Sequence, residues 1–464
     1  MANSSLYFRF IKNMFNFSFV NNNNLTKINY IFFIFVLCSL VYNNDITAFD
    51  KTNVDVDDFQ NSSSKNFKQD YDSRMINYPN SNITNLTNNN EDSIYGQIES
   101  FGNNIYVVWQ ESVTESLPEH NYDIFFIKSE DNGKTFSNPI NLSNSTEFSE
   151  RPQIAVSKNG IFIVWADTIN PNNKEIIFTK SEDNGKTFSN PINISNNSKN
   201  SYNQEISVFN ENVYVVWQES DENNIDESND SNIIFTSSID SGNTFKNSIL
   251  LINNTIDAFP KINSYGSNVY IVWNNENKNN SGLFLVKSSD KGNNFDEISK
   301  INVDNNFGES QISVNKNEVL ISWGGLLTKN IDNIYYVISN DNGYTFTDTN
   351  TYTKKIIGFN DTSNLYELDD IIKNPLNVEV TSNNNLSSVA WQNSFSKENE
   401  DILILLLSNQ KEQNNYARLL NLSNNPSVSE CPSITISKNN IYVIWEDYIS
   451  GNHEILFAKI STGL

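Results

Sequence analysis

Short runs of alternating apolar residues recur along the chain, and five of them end on tryptophan: residues 105–109 (IYVVW), 161–165 (IFIVW), 213–217 (VYVVW), 269–273 (VYIVW) and 441–445 (IYVIW). With Trp323 and Trp391, all seven tryptophans occupy this slot, at steps of 56, 52, 56, 50, 68 and 54 residues. Period-two alternation predicts half-buried strands. A rare, large residue at a near-constant interval predicts an array of equivalent units. The fullest copy, residues 151–197, predicts four strands: 153–156, a turn at 158–160, then 161–165, 175–180 and 192–194. Consecutive hairpins of this kind form a small antiparallel sheet. Seven such units predict an all-β fold, a seven-bladed β-propeller of four-stranded antiparallel blades. The last unit stops after a third strand at 454–460, while residues 82–87 (NITNLT) resemble the unit-closing pieces 141–143 and 193–195. The N-terminal piece is therefore expected to complete the final blade and clasp the ring, which removes open sheet edges.

The turn between third and fourth strands reads Ser-x-Asp-x-Gly-x-Thr-Phe, around Asp131 and Gly133, Asp183 and Gly185, Asp240 and Gly242, Asp290 and Gly292, and Asp341 and Gly343. Aspartate can accept bonds from turn amides, glycine supplies positive φ, and the aromatic anchors the turn in its blade. These residues are read as structural. The five copies resemble the Asp-box, or bacterial neuraminidase repeat, of the sialidase superfamily. The resemblance is strong over residues 90–350 and extends to the end through the tryptophan slot; blade six has lost the box and blade seven ends before it. It implies a propeller, with the six-bladed sialidase type as the alternative to seven, but a fold does not specify a function.

Sialidases as a family grip the substrate carboxylate with three converging arginines and use a tyrosine nucleophile paired with glutamate, plus an acidic aspartate. The planar guanidinium holds a carboxylate bidentately, which lysine cannot imitate. This chain has four arginines: Arg9, Arg74, Arg151 and Arg418. Arg9 lies in the leader, and Arg74 sits in a linker without the family's Arg-Ile-Pro signature. Arg151 fills a slot held by Phe259 or Cys431 in other blades, and Arg418 falls in the degenerate turn region of blade six. The triad is therefore expected to be incomplete.

Acids follow most tryptophans (Glu111, Asp167, Glu219, Glu276, Glu446, Asp447), and others open the third strands (Asp123, Glu175, Asp332, Asp401, Glu454). They either satisfy loop and inter-blade amides or form a carboxylate ring for Ca²⁺ or a cationic partner. The pattern breaks at residues 112–122, 221–230 and 350–377, all expected at the same rim, where loops on a rigid scaffold carry binding. Gly324 and Gly325 replace the acid beside the longest of these.

Composition narrows the classes further. With 55 acidic against 31 basic residues, net −24, the surface repels nucleic acid and anionic membranes. Two cysteines, Cys38 and Cys431, and two histidines, His120 and His453, leave no Cys/His metal set and no internal disulfide once the leader is removed. Residues 30–42 form an apolar run fitting a signal-peptide core, or an uncleaved anchor, so residues 1–48 are expected to direct export. Residues 49–80 are read as a flexible linker and 81–464 as the propeller. Asn-x-Ser/Thr triplets, among them those at Asn82, Asn85, Asn141, Asn144, Asn193, Asn253, Asn360, Asn385 and Asn421, read as glycan acceptors in a secreted chain.

These features predict a secreted or surface-tethered, non-catalytic propeller that presents a loop-built rim to a glycan or surface protein. It is expected to be monomeric, without a cofactor unless Ca²⁺ binds. One alternative is a glycoside hydrolase using Tyr366 with Glu367, and Arg151 as a substrate contact. Such an enzyme needs two carboxyl groups about 5–9.5 Å apart. A second alternative is a structural envelope protein.

Overall fold

A computed structural model describes residues 76–79, 82–113, 121–170, 173–220, 231–256, 258–275, 281–301, 308–327, 331–347, 350–351, 372, 374–383, 386–396, 399–408, 417–448 and 451–462. All fall within one compact unit, Phe67–Leu464. Two short strands come first, β1 (Ile76–Asn77) and β2 (Ile83–Asn85). Blade one is Ser93–Phe101, Asn104–Val113, Asn121–Ser129 and Ile140–Asn141 (β3–β6). Blade two is Ser149–Ser157, Gly160–Asn170, Asn173–Ser181 and Ile192–Asn193 (β7–β10). Blade three is Asn200–Phe209, Asn212–Ser220, Ser231–Ser238 and Ile249–Thr255 (β11–β14). Blade four is Lys261–Tyr265, Asn268–Asn275, Gly282–Ser288 and Ser299–Ile301 (β15–β18). Blade five is Ser310–Asn315, Glu318–Leu327, Ile331–Ser339 and Asn350–Thr351 (β19–β22). Blade six is Leu376–Ser382, Leu386–Ser396, Asn399–Ser408 and Ala417–Asn421 (β23–β26), and blade seven is Ser429–Ser437, Asn440–Asp447 and Glu454–Ser461 (β27–β29).

Within each sheet the strands pair in chain order, so every blade is a meander. The first strand of each blade touches the first strand of the next, and β27 returns to β3, which closes the ring around a central channel. Seven sheets exclude the six-bladed alternative.

The core is seven cores, each between consecutive blades. Trp109 packs with Leu86, Tyr442 and Phe457 between blades seven and one. Trp165 packs with Tyr106 and Phe126 between one and two, and Trp217 with Phe162 and Phe178 between two and three. The other tryptophans repeat this at the remaining seams. A lone four-stranded sheet has an apolar face and nothing to bury it against; the neighbouring blade supplies that surface.

The Ser-x-Asp-x-Gly turns lock the opposite rim. Asp131 Oδ1 accepts the amides of Lys134 and Thr135 at 3.0 and 2.9 Å, and its Oδ2 accepts the Thr135 hydroxyl at 2.7 Å. These bonds hold the carboxyl well below the usual carboxylate range. Gly133 has φ +77°, and a Cβ there would lie 2.6 Å from the Phe457 ring of the preceding blade. Gly185 stands in the same relation to Phe126. Phe136 and Phe188 then meet those rings edge-on, at 5.1 and 4.9 Å between centroids. Each turn is thus an inter-blade staple, and the turns at Asp183, Asp240, Asp290 and Asp341 repeat the bonding.

Ring closure follows the sequence expectation. β2 pairs antiparallel with β29, placing Ile83 opposite Ala458 and Asn85 opposite Leu456. One boundary moves. Ile76 and Asn77, assigned to the linker, pair parallel with Leu420 and Asn421 as a fifth strand on blade six. Tyr78 follows, packing between blades six and seven, with its hydroxyl donating to the Lys459 carbonyl. Two residues are too few to show alternation, so this strand left no pattern to read. Arg418 is also corrected: it lies within β26, opposite Leu406, rather than in a turn.

Candidate functional site

Strand direction puts the tryptophan ends of the second strands, the starts of the third and the starts of the first at one rim. The strand ends bracketing residues 114–120, 221–230 and 352–371 are there too. Those residues, with Glu276, Tyr366, Glu367, Arg9 and Arg74, lie outside the described residues.

The post-tryptophan acids are bonded into the framework. Glu111 Oε2 accepts from the Trp109 indole at 2.9 Å, from Ser93 Oγ at 3.0 Å and from Asn89 Nδ2 at 3.0 Å. Asp447 does the same for Trp445, Ser429 and Asn425, at 3.1, 2.7 and 2.8 Å. Asp167 accepts from Ser149, and Glu219 from Asn197. Glu446 accepts the Tyr95 amide across the seam at 2.6 Å. Among the described residues, no group of three or more His, Cys, Asp or Glu is arranged to hold a metal ion.

A different ring surrounds the channel mouth at this rim. Fourteen positions before each tryptophan stand Tyr95, Arg151, Asn203, Phe259, Glu309, Asn377 and Cys431. All but Glu309 have positive φ, between 40° and 54°. In blades one, two, three, six and seven the residue sits in a bulge of the first strand. A left-handed backbone is uncommon for Tyr, Phe and Arg and costs about 1–3 kcal/mol each. Each bulge therefore re-aims a side chain that the regular alternation would not place there. Arg151 Nη1 donates to Asn203 at 2.8 Å, and its guanidinium lies over the Tyr95 ring, 5.2 Å from the centroid. Asn377 Nδ2 reaches Cys431 Sγ at 3.4 Å.

Deeper in the channel, the residues flanking the buried Ile98, Ile154, Ile206, Ile262, Ile312, Val380 and Ile434 point to the other face, because strand side chains alternate. The layer below the mouth includes Gln97, Glu205, Lys261, Gln311, Glu379 and Ser433. Lys261 Nζ meets Glu205 at 2.5 Å and Gln311 Nε2 donates to Glu379 at 2.6 Å. Burial lowers the Lys261 ammonium, but Glu205, Glu309 and Glu379 outweigh it and hold it above its usual value. Burial pushes the Glu379 carboxyl up to about 8.

One seam carries an extra charge cluster. At seams one–two and three–four, the backbone amides of Arg151 and Phe259 donate to the neutral carbonyls of Gln110 and Gln218, at 3.0 and 3.2 Å. At seam seven–one that acceptor is Glu446. Nearby, His453 Nδ1 lies 3.2 Å from Asp92 and Nε2 lies 3.4 Å from Glu430. Burial and then Glu430 push Glu446 up to about 8. Burial lowers the His453 imidazole, but the bonds to Asp92 and Glu430 prevail and hold it at about 10. Both folded values lie above the unfolded ones, 4.5 and 6.5, so both groups take up protons on folding. Their stabilisation is complete below the unfolded values and is lost as pH rises through the folded ones. The melting temperature is expected to fall between pH 5 and 9, and Glu446→Gln, which copies seams one–two and three–four, should flatten the part below about pH 8. A calorimetric pH series checks this; an unchanged slope in the variant rejects it.

Of the arginines, the described residues bring only Arg151 to the mouth; Arg418 is in the outermost of blade six's own strands. Sequence reasoning singled out Arg151, Phe259 and Cys431 as one slot but missed Tyr95, Asn203, Glu309 and Asn377. The signal was available as the constant offset from tryptophan.

No family model matches the chain, and no curated protein matches it. Among solved structures it is similar to a mutant of Trypanosoma rangeli sialidase displaying trans-sialidase activity, at 12% identity and TM-score 0.43, over 79% of this chain and 54% of that one. It also overlaps a protein of unknown function from Dyadobacter fermentans, at 13% identity and TM-score 0.46, over 82% and 99%. The intramolecular trans-sialidase from Ruminococcus gnavus matches at 11% identity and TM-score 0.43, over 80% and 94%. The chain spans about half the length of the trypanosomal protein. The neighbours are sialidase-type propellers and a propeller of unknown function; the blade count here rests on the strand pairing.

Proposed function

We propose that the chain is a non-catalytic Asp-box propeller, secreted or held at the cell surface, that binds a glycan or a surface protein at the mouth of its channel. The observation that carries this is the ring of left-handed residues. Backbone strain at repeated positions aims Tyr95, Arg151, Asn203, Phe259 and Asn377 at one mouth, and strain of this kind gathers at binding sites. Aromatic faces beside amides suit a sugar ring or a peptide. A hydrolase of the sialidase kind would need three guanidiniums around one cavity. Arg151 is already held by Asn203 and Tyr95, and Arg418 is in the outermost of blade six's own strands, which supports binding without turnover. The apolar run at residues 30–42 supports placement outside the cytoplasm.

The test is a glycan array and a surface-protein panel run beside fluorogenic sialosides and other glycosides. Retention without turnover is expected. Tyr95→Ala should weaken retention roughly tenfold, the effect of truncating one aromatic anchor. Turnover that disappears in Arg151→Lys would overturn the proposal.

A further inference from the structure

We infer that the Asn-x-Ser/Thr triplets at Asn85, Asn141, Asn193 and Asn421 are blade-closing clasps, that Asn141 and Asn421 are thereby withdrawn as glycan acceptors, and that Asn253, on the exposed edge of blade three, is an acceptor. The clasp is the same in four blades. The acid that opens the third strand accepts the hydroxyl of the triplet: Asp123 from Ser143 at 2.9 Å, Asp401 from Ser423 at 3.1 Å, Glu175 from Ser195 and Glu454 from Thr87. The same hydroxyl accepts the amide of the residue after the acid, in Ile124, Ile176, Ile402 and Ile455, at 2.8 to 3.1 Å. The asparagine Oδ1 caps the amide three residues on, at Asn88, Asn144, Asn196 and Asn424. In two blades the nitrogen that would carry a sugar is itself engaged: Asn141 Nδ2 donates to Asp123 at 2.6 Å and Asn421 Nδ2 to Asp401 at 2.7 Å. Asn421 is buried, 3% exposed, and its backbone carries β1. A glycan there has no room.

The acid is present in these four blades and missing from the other three. Blades three, four and five have Asn232, Gly282 and Asn333 in the acid's register, opposite Glu219, Asn275 and Gly325. In blade three the triplet 253–255 lies at the end of β14, and the Thr255 hydroxyl donates to the Ser231 carbonyl at 2.9 Å instead of to an acid. Asn253 itself is exposed. β14 is the longest of the described outer strands in blades one to five, and Ile249 and Leu250 on it are 43% and 58% exposed. An uncovered apolar edge invites association. In blade six β1 covers the outer strand; a sugar at Asn253 would shield this one.

The full chain, secreted from an N-glycosylating host, is to be analysed by peptide mapping after glycosidase release in heavy-oxygen water. Asn253 should carry the mass label, while Asn141 and Asn421 stay unlabelled in the folded monomer. Asp401→Asn, which keeps the triplet but turns an acceptor oxygen into a donor facing Asn421, should lower the melting temperature by a few degrees. Ser423→Thr, keeping both triplet and hydroxyl, should leave it unchanged, and Asn253→Gln should remove one glycan mass without moving it. Labelled Asn421 or Asn141 in folded protein, an unlabelled Asn253, or an Asp401→Asn protein that melts like the parent would each overturn the inference.

Discussion

Trp109→Ala is expected to cost about 3–5 kcal/mol of stability, the range for deleting a fully buried large aromatic. The indole is wholly enclosed at the seam between blades seven and one, stacked on Phe125 with ring centroids 5.9 Å apart. Alanine would leave a cavity between two rigid sheets that have little freedom to collapse. It would also strip the Nε1 donor from Glu111, a carboxylate that is only 9% exposed. Trp109→Phe separates the two losses: it keeps most of the packing and should cost about 1.5–3 kcal/mol, the worth of one hydrogen bond to a charged group, because Ser93 and Asn89 still bond Glu111. Urea unfolding of both variants measures this. An alanine variant within about 1 kcal/mol of the parent would mean that the seams do not hold the ring.

The second large effect is expected from removing residues 1–87. That deletion takes β1 and β2, with Tyr78, Ile83 and Leu86, out of the cores they complete. Burying apolar side chains of this size contributes about 1.5–3 kcal/mol each, against a total of about 5–15 kcal/mol for a typical protein. The deletion also exposes the outer faces of β26 and β29 and leaves Glu454 without the Thr87 hydroxyl. Such a chain should lose its cooperative melt and associate, as read by calorimetry and size-exclusion chromatography. A chain beginning at Phe67 should melt like the full protein, and a synthetic peptide of residues 76–87 should restore the melt of the shorter one. A shortened chain that melts cooperatively at the parent temperature would show that closure contributes little.

The sequence carried the fold because the tryptophan slot and the Ser-x-Asp-x-Gly turn demand particular residue types wherever they occur. A buried indole and a carboxylate chelating turn amides have few substitutes. The mouth ring is the reverse case. Tyr95, Arg151, Asn203, Phe259, Glu309, Asn377 and Cys431 share a backbone position and no chemistry, so only the constant spacing connects them. The acids were visible as positions, but their use was not. Glu111 and Asp447 are turned to indoles, whereas Asp123 and Asp401 are turned to a serine and an asparagine on the outer strand. Asparagine-rich triplets read as modification sites for the same reason: a three-residue pattern does not tell a surface amide from one bonded to a neighbouring carboxylate.

Tyr78 and its partner Lys459 are 381 residues apart in the chain. During synthesis, the first strands made must therefore wait for the last ones. Non-local pairing of this kind slows folding and prolongs the time spent with uncovered edges. A chain cut short anywhere before blade seven is an open arc, not a smaller ring, because closure needs residues 76–87 to dock on the last two blades.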